Sequence, residues 1–205
     1  MRKILKPIFN FLAKFIFRVK LIGEENVPDS GAYILCGNHI HALDAPAIVV
    51  TSKRKIRFMA KEELLENKAL AFLAKTFEVI TVKRETADID AMKKSMKVIK
   101  DGDILGIFPE GTRNGMAKNS SIKGGAAFLA LKTNTPIIPV GIQGDFKPFH
   151  KVTIRFGKPM DFSEYAVSKG KPEKEHLDIV SEKVMKEIVR LRDGVKEEET
   201  VKISE

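Results

Sequence analysis

Short apolar segments alternate with amphipathic helical patterns along most of the chain, and this alternation limits the fold more than any other feature of the sequence. Segments rich in Ile, Val and Phe predict buried strands. Helices that connect consecutive strands place those strands parallel in one sheet, so the order predicts an α/β domain with a central mixed, mostly parallel sheet flanked by helices. The predicted strands are 19–22, 33–36, 56–59, 79–82, 104–108, 137–142 and 152–156; the predicted helices are 45–51, 61–76, 88–100, 122–132 and a last one from near 172 to 194.

The folded part is predicted to be one domain, residues 21–194. Of the 205 residues, 43% are hydrophobic and 31% are charged, a balance that is typical of a globular domain and not of a disordered chain. The single cysteine, Cys36, excludes a disulfide scaffold and a multi-thiolate metal site. Residues 195–205 are rich in Glu, so we expect a charged, disordered tail there.

Residues 1–20 combine a wide apolar face with Lys and Arg and contain no acidic residue, in a chain whose net charge is +9. This pattern predicts an amphipathic helix that lies on an anionic membrane surface; the alternative is an ordinary amphipathic helix packed on the core. Lys14 and Arg18 interrupt the apolar stretch, which argues against a signal peptide, and no apolar run reaches the roughly 20 residues of a spanning helix. No base-reading motif is present, so nucleic acid is not an expected partner.

The first candidate site follows the predicted strand 33–36. His39 stands five positions before Asp44, at the entry to a predicted helix. If a turn folds Asp44 back, its carboxylate can accept a hydrogen bond from one imidazole nitrogen and leave the other free to take a proton. The alternatives are a structural pair, with Asp44 as a helix cap, and a metal site that includes His41. No further cluster of His or Cys completes such a metal site, so we expect none.

The second candidate site follows the predicted strand 104–108. Pro109 and Gly111 flank Glu110 and predict a tight turn at the end of this strand. Arg113 offers a planar fork that suits a phosphate or a carboxylate, and Thr112 and backbone N–H groups can add donors. The alternative is a structural turn that carries a surface Glu–Arg pair.

Together the two clusters resemble those of the glycerolipid acyltransferase family. The resemblance rests on the Asn-His-x-x-x-x-Asp frame at 38–44 and on Phe-Pro-Glu-Gly-Thr-Arg at 108–113, and it runs from about residue 31 to 142. Weaker matches are 59–64, 80–84, 123–126 and 138–140. Two positions depart from the family pattern: many members have Ser where His41 stands, and a Gly near the position of Glu78.

The resemblance implies an O-acyltransferase that moves an acyl chain from acyl-CoA or acyl-carrier protein to the free hydroxyl of 1-acylglycerol-3-phosphate, giving phosphatidic acid. It implies His39 as the general base, Asp44 as the residue that orients it, and Glu110 as a residue that orients a hydroxyl or Arg113. Direct transfer is favoured over a covalent route through Cys36, which lies in an apolar strand, and no cofactor is implied. The residues implied in binding the acceptor are Lys61, Arg84, Gly111, Thr112 and Arg113.

If the acceptor is a membrane lipid, the basic N-terminal helix would keep the site at the bilayer surface. We therefore expect a peripheral protein on the cytoplasmic face of the cell membrane. The basic residues between 53 and 57 either extend that contact, meet an acidic donor or belong to a solvated loop. Two other functions stay open: an acyltransferase that acts on another lysophospholipid or an aminolipid, and a non-catalytic basic module that binds membranes.

Overall fold

The computed structural model describes residues 2–82, 88–109 and 124–194, without the side chains of 2–6 and 69. These residues form seven strands and six helices. The strands are β1 (Val19–Ile22), β2 (Tyr33–Gly37), β3 (Ile56–Lys61), β4 (Ile80–Val82), β5 (Ile104–Ile107), β6 (Ile137–Gly144) and β7 (Val152–Phe156). The helices are α1 (Arg2–Phe15), α2 (Asp44–Thr51), α3 (Lys68–Thr76), α4 (Ile89–Lys100), α5 (Gly125–Thr133) and α6 (Lys174–Asp193).

The strands make one sheet in the order β1-β7-β6-β2-β5-β3-β4. All neighbouring pairs are parallel except β6 and β7, so β1 and β7 run opposite to the other five strands. The predicted mixed, mostly parallel sheet is confirmed. The carboxyl ends of β2 and β5 meet at one edge, where Cys36 pairs with Ile107. In a parallel sheet, this is the edge at which α/β proteins place their sites.

Helices cover both faces of the sheet, as predicted. Alternate residues of β2 point to opposite faces: Leu35 packs in the cluster that contains α1 and α2, and Ile34 and Cys36 pack in the cluster that contains α4, α5 and α6. Because β2 is buried on both faces, its sequence is a continuous apolar run and shows no polar alternation. Cys36 is 1% exposed, in agreement with its prediction as a core residue.

The predicted helix 61–76 is wrong in its first part. Strand β3 continues to Lys61, a 3-10 turn follows at Glu62–Glu66, and the α-helix begins only at Lys68. Asn67 separates the two segments with an extended backbone, and its Oδ1 accepts the N–H of Leu70 at 3.2 Å. The side chain of asparagine often bonds to nearby backbone groups, which disfavours asparagine inside a helix. Asn67 therefore separates the 3-10 turn from α3.

The basic cluster of residues 53–57 lies at the amino end of β3, away from the carboxyl edge of the sheet, and three of its cations have structural contacts. Arg54 donates to the carbonyls of Pro28, Gly31 and Gly102 at 2.7–2.9 Å. Lys55 and Arg57 lie 2.8 and 2.9 Å from the carboxylate of Glu78. These contacts favour a role in joining loops over the membrane or donor contact that the sequence left open.

Glu78 has a positive φ of 55°, a conformation that glycine adopts without a steric penalty. A glycine near this position, as in the family pattern described above, would suit this conformation. In this chain, the two ion pairs of the Glu78 carboxylate hold the residue in the less favourable conformation.

The predicted N-terminal helix exists and is shorter than residues 1–20. It ends at Phe15, and β1 already begins at Val19, within the predicted segment. Ala13 is buried against the cluster that contains α2, and the Phe9 ring contacts Phe77 edge-on at 6.3 Å. One side of α1 is therefore part of the domain. The predicted tail 195–205 lies outside the described residues.

Candidate active site

The site begins where β2 ends, at Asn38, which is 2% exposed. Its side-chain amide donates to the carbonyl of Ile142 at 2.9 Å, and its side-chain carbonyl accepts the N–H of Ile142 at 2.7 Å. The Asn38 side chain thus bonds to the backbone of β6 just beyond the last backbone pair of β2 and β6. These two bonds fix the direction in which the chain leaves the sheet. Sequence reasoning assigned no role to Asn38. The sequence did contain a signal for Asn38: this polar residue closely follows an apolar run that is typical of a buried strand.

The turn after Asn38 brings His39 and Asp44 together, as the sequence predicted. His39 Nδ1 lies 2.7 Å from Asp44 Oδ2. The same oxygen accepts the backbone N–H groups of Ile40 at 2.7 Å and His41 at 2.8 Å. An ionised carboxylate only accepts hydrogen bonds, so Nδ1 of His39 is the donor to Asp44, and in a neutral imidazole this arrangement leaves the lone pair on Nε2.

Asp44 is fully buried and is the first residue of α2. The positive end of the helix dipole favours a negative charge at this position, which offsets part of the cost of burying the carboxylate. The structural alternative, Asp44 as a helix cap, does not describe the geometry, because Leu43 is the N-cap and Asp44 bonds backward to the turn. The carboxylate therefore holds both the turn and the imidazole.

The imidazole of His39 also lies on an aromatic ring. Its centroid is 4.3 Å from that of Phe108, with 11° between the planes, and Phe108 in turn stacks on Phe58 at 5.2 Å. Phe108 directly follows β5 and is the first residue of the second sequence cluster. The parallel pairing of β2 with β5 thus joins the two clusters, and the side chain of His39 stays 19% exposed.

Gly106, in the middle of β5, makes this stack possible. A β-carbon at Gly106 would lie 2.6 Å from the Phe58 ring, which is closer than real contacts allow. The ring of Phe58 therefore occupies the space that a side chain at Gly106 would fill. Sequence reasoning missed Phe58 and Gly106 as supports of the site, although a glycine inside a buried strand is a known sign of close packing.

The described residues contain only part of the predicted acceptor site. Lys61 is the last residue of β3 and lies at the same edge of the sheet as the ends of β2 and β5. Arg84, Glu110, Gly111, Thr112 and Arg113 lie outside the described residues. Phe108 and buried Pro109 lead directly to the last four of these.

His41 has surroundings that differ from those of His39. Its ring stacks on Phe146 at 5.2 Å, and its Nδ1 accepts the N–H of Leu43 at 3.2 Å. Within the described ranges, no three side chains of His, Cys, Asp or Glu are grouped so that they could hold a metal ion. His41 therefore differs from His39 in its hydrogen-bond partner, a backbone N–H in place of the buried Asp44 carboxylate.

Comparisons with known proteins identify the family. Residues 18–143 match the family model described as Acyltransferase. The chain is 29% identical to a 1-acyl-sn-glycerol-3-phosphate acyltransferase of Bacillus subtilis strain 168 over 84% of this chain and 87% of that protein. It is 35% identical to a protein of the same name from Borreliella burgdorferi, over 60% of this chain and 50% of that one.

A solved structure is similar over almost the whole chain. The 1-acyl-sn-glycerophosphate (LPA) acyltransferase PlsC from Thermotoga maritima superposes with a TM-score of 0.69 at 25% identity, covering 95% of this chain and 82% of that one. The family model includes β2, the turn with His39 and Asp44, and the segment that follows β5. The protein is a member of the Acyltransferase family.

Proposed function

We propose that the protein transfers an acyl chain from a thioester donor to the free hydroxyl of 1-acylglycerol-3-phosphate and so produces phosphatidic acid. The observation that carries this proposal is the 2.7 Å contact of His39 with buried Asp44, at the sheet edge where the second cluster begins. The relatives named above, whose names state this activity, support the choice of acceptor.

In the proposed reaction, Nε2 of His39 removes the proton from the acceptor hydroxyl. The oxygen attacks the thioester carbonyl, the tetrahedral intermediate collapses, and the carbon–sulfur bond breaks as the new ester forms. The proton that His39 took leaves with the thiol. A thiol has a pKa of about 8.5, so the thiolate is a good leaving group and the reaction requires no metal or prosthetic group. Asp44 stabilises the imidazolium that forms between these steps.

The proposed acceptor site uses cations to bind the phosphate. Arg113 would make a charge-assisted contact, with Lys61 and Arg84 as further cations and with Thr112 and the backbone at Gly111 as neutral donors. Glu110 would orient Arg113 or the acceptor hydroxyl. The position of Lys61 at the carboxyl edge of β3 supports this assignment. Either acyl-CoA or acyl-carrier protein would supply the thioester.

We further propose that the protein works at the cytoplasmic surface of the cell membrane. No helix in the described part of the chain is long and apolar enough to cross a bilayer. Three apolar side chains on α1 are largely exposed: Ile8 at 52%, Phe11 at 58% and Phe15 at 64%. They recur at helical spacing, with Lys14 exposed beside them, as expected of a helix that lies in the headgroup region.

The test is an assay of the full chain with lysophosphatidate and either acyl-CoA or acyl-carrier protein, which follows free thiol and identifies the lipid product by mass spectrometry. We expect thiol release that depends on the acceptor and a product with the mass of phosphatidic acid. The matched controls are His39→Ala and, on α6, His176→Ala, of which only the first should lose activity. Product formation only with a different lysophospholipid or an aminolipid would reject the proposed acceptor. Vesicle binding without transfer to any acceptor would favour the non-catalytic module.

A further inference from the structure

Phe149, in the loop between β6 and β7, combines two unusual properties. Its φ is 66°, in the left-handed region that bulky residues rarely adopt, and its side chain is 71% exposed. A strained backbone persists only where surrounding contacts enforce it, and such strain often marks a functional position. At Phe149, the strained backbone holds a large apolar ring exposed to solvent.

The contacts that enforce this conformation come from the end of α1. The N–H of Phe149 donates to the carbonyl of Ile16 at 2.6 Å, and the rings of Phe17 and Phe146 meet edge-on at 5.9 Å. Within the loop, the N–H of His150 donates to the carbonyl of Lys147 at 3.1 Å. The loop is therefore attached to the segment that directly follows Phe15, the most exposed aromatic residue of α1.

The charges around this junction complement an anionic surface. Lys14, Arg18 and Lys151 are exposed on the two joined segments. Lys147 is also exposed and is paired with Asp145, the acidic residue of the loop, at 2.7 Å. An exposed aromatic ring with surrounding cations suits the headgroup region of an anionic bilayer, where the ring enters the apolar boundary and the cations meet lipid phosphates.

The loop also lies near the candidate active site. It joins the carboxyl end of β6 to the amino end of β7, and both ends are at the same edge of the sheet as His39. The ring of Phe146, three residues before Phe149, stacks on His41 at 5.2 Å. A contact at Phe149 therefore acts close to the turn that contains the catalytic pair.

We propose that Phe149 is a second membrane anchor, which inserts into an anionic bilayer beside the exposed face of α1 and turns the His39 edge of the sheet toward the lipid. A single helix in the interface leaves the domain free to pivot about it, and a second contact restricts this motion. The inference rests on the proposed work at the membrane surface and adds a contact that α1 does not provide.

The direct test uses Phe149→Trp, because the chain contains no Trp and this residue becomes its only indole. The full-length variant is mixed with vesicles of phosphatidylcholine and phosphatidylglycerol in equal amounts. We expect the emission to shift to shorter wavelength and to be quenched by brominated acyl chains. The matched control is Ile22→Trp, because Ile22 is 41% exposed at the end of the sheet opposite to His39; its indole should show neither effect.

A second variant separates anchoring from a structural role. Asn adopts the left-handed conformation more easily than Phe, so Phe149→Asn should keep or raise the Tm in vesicle-free buffer, by up to about 2–4 °C. Its partition to the same vesicles should fall about ten-fold through the loss of the apolar ring. Phe149→Leu should keep most of the partition. A fall in Tm with unchanged partition would overturn the proposal and assign Phe149 to the fold.

The outcomes also separate this inference from the proposed function. If the wild-type protein does not bind vesicles, the membrane part of the proposed function fails and the anchor fails with it. If the wild-type protein binds and the indole at position 149 shows no shift, only the anchor is overturned. A change of oligomeric state in Phe149→Asn at unchanged partition, seen by light scattering, would mean that this surface contacts a second copy of the chain, and that too would overturn the proposal.

Discussion

The two carboxylate oxygens of Asp44 have different surroundings. Oδ2 accepts three N–H groups, from the imidazole of His39 and from the backbone of Ile40 and His41. Oδ1 is buried and has no hydrogen-bond partner among the residues that the structure describes. A neutral amide at this position could keep the three bonds by placing its oxygen at the Oδ2 position. It would then bury an NH₂ group in place of Oδ1 and remove the negative charge.

This difference leads to the first prediction. His39→Ala should lower kcat by about 10³-fold, because it removes the proposed base, and should cost about 1 kcal/mol of stability through the lost stacking on Phe108. Asp44→Asn should lower kcat by a similar factor, because it removes the charge that stabilises the imidazolium. It should also cost about 1–3 kcal/mol through the unsatisfied buried amide. Thiol-release kinetics and calorimetry measure the two effects.

Chemical rescue checks the assignment of the base. Added imidazole should restore part of the activity of His39→Ala and none of that of Asp44→Asn. If His39→Ala retains a near-native rate that still depends on the acceptor, His39 is not the base.

The second prediction concerns the cations of the proposed acceptor site. Arg113→Ala should raise the apparent KM for lysophosphatidate by about 10–100-fold, because a charge-assisted contact with phosphate contributes about 1.5–3 kcal/mol. Lys61→Ala should have a smaller effect, because an ammonium lacks the two-pronged geometry of a guanidinium. The KM for the acyl donor should change little. Equal loss with monoacylglycerol, which has no phosphate, would show that these residues do not bind the phosphate.

Among the elements, α1 has two faces with different surroundings. Phe9 and Ala13 face the domain, whereas Phe11 and Phe15 are exposed and stack on each other at 4.4 Å. The third prediction follows from this division. Phe11→Ser with Phe15→Ser should weaken binding to anionic vesicles at any salt concentration, because apolar transfer is not screened. Lys14→Gln should weaken binding mainly at low salt.

Phe9→Ser is the control for this experiment. It removes the contact with Phe77 and should lower the Tm more than the double change on the exposed face does. Normal sedimentation of the Phe11/Phe15 variant with vesicles, together with normal turnover of membrane substrate, would show that α1 is a structural element only.

Gly106 of β5 leaves room for the Phe58 ring, which stacks on Phe108 beneath His39. The fourth prediction is that Gly106→Ala lowers the free energy of unfolding by about 1–3 kcal/mol, because the new methyl group displaces the Phe58 ring. The displaced ring would no longer support Phe108, so kcat should fall as well. Combining this change with Phe58→Leu, which removes the clash, should restore part of the stability. Additive loss in the double variant would contradict this coupling.

At the scale of the whole molecule, the sheet order predicts where the structure opens. Strands β2, β5 and β6 lie inside the sheet, and most of their residues are buried, whereas β1 and β4 are its two edges. The fifth prediction is that amide hydrogen exchange is slowest in β2 and β6 and much faster in β4. Local opening of an edge strand breaks fewer apolar contacts, so it costs less free energy and exchange is faster. Peptide-resolved mass spectrometry measures this order. Equal protection in β4 and β2 would contradict it.

Much of this arrangement could be predicted from the sequence, because the relevant signals are local. A run of apolar residues as in 33–36 predicts a buried strand, the predicted helix 88–100 matches α4 to within one residue, and the predicted end of the last helix at 194 is that of α6 to within one residue. The wrong prediction at 61–66 has the same origin, since a 3-10 turn and an α-helix share nearly the same pattern of side chains. The contact between His39 and Asp44 could be anticipated because the two residues lie only five positions apart, a separation that one turn can bridge.

By itself, the sequence determined most of the succession of strands and helices, and its resemblance to a known family indicated both the family and the pairing of His39 with Asp44. Only the tertiary structure decided that Phe108 supports His39, that Asn38 joins β2 to β6, and that Phe149 meets the end of α1. The physical reason is distance along the chain. Local backbone and turn preferences act between near neighbours and can be read from their order, whereas the stacking of His39 on Phe108 exists only because long-range strand pairing places β5 next to β2.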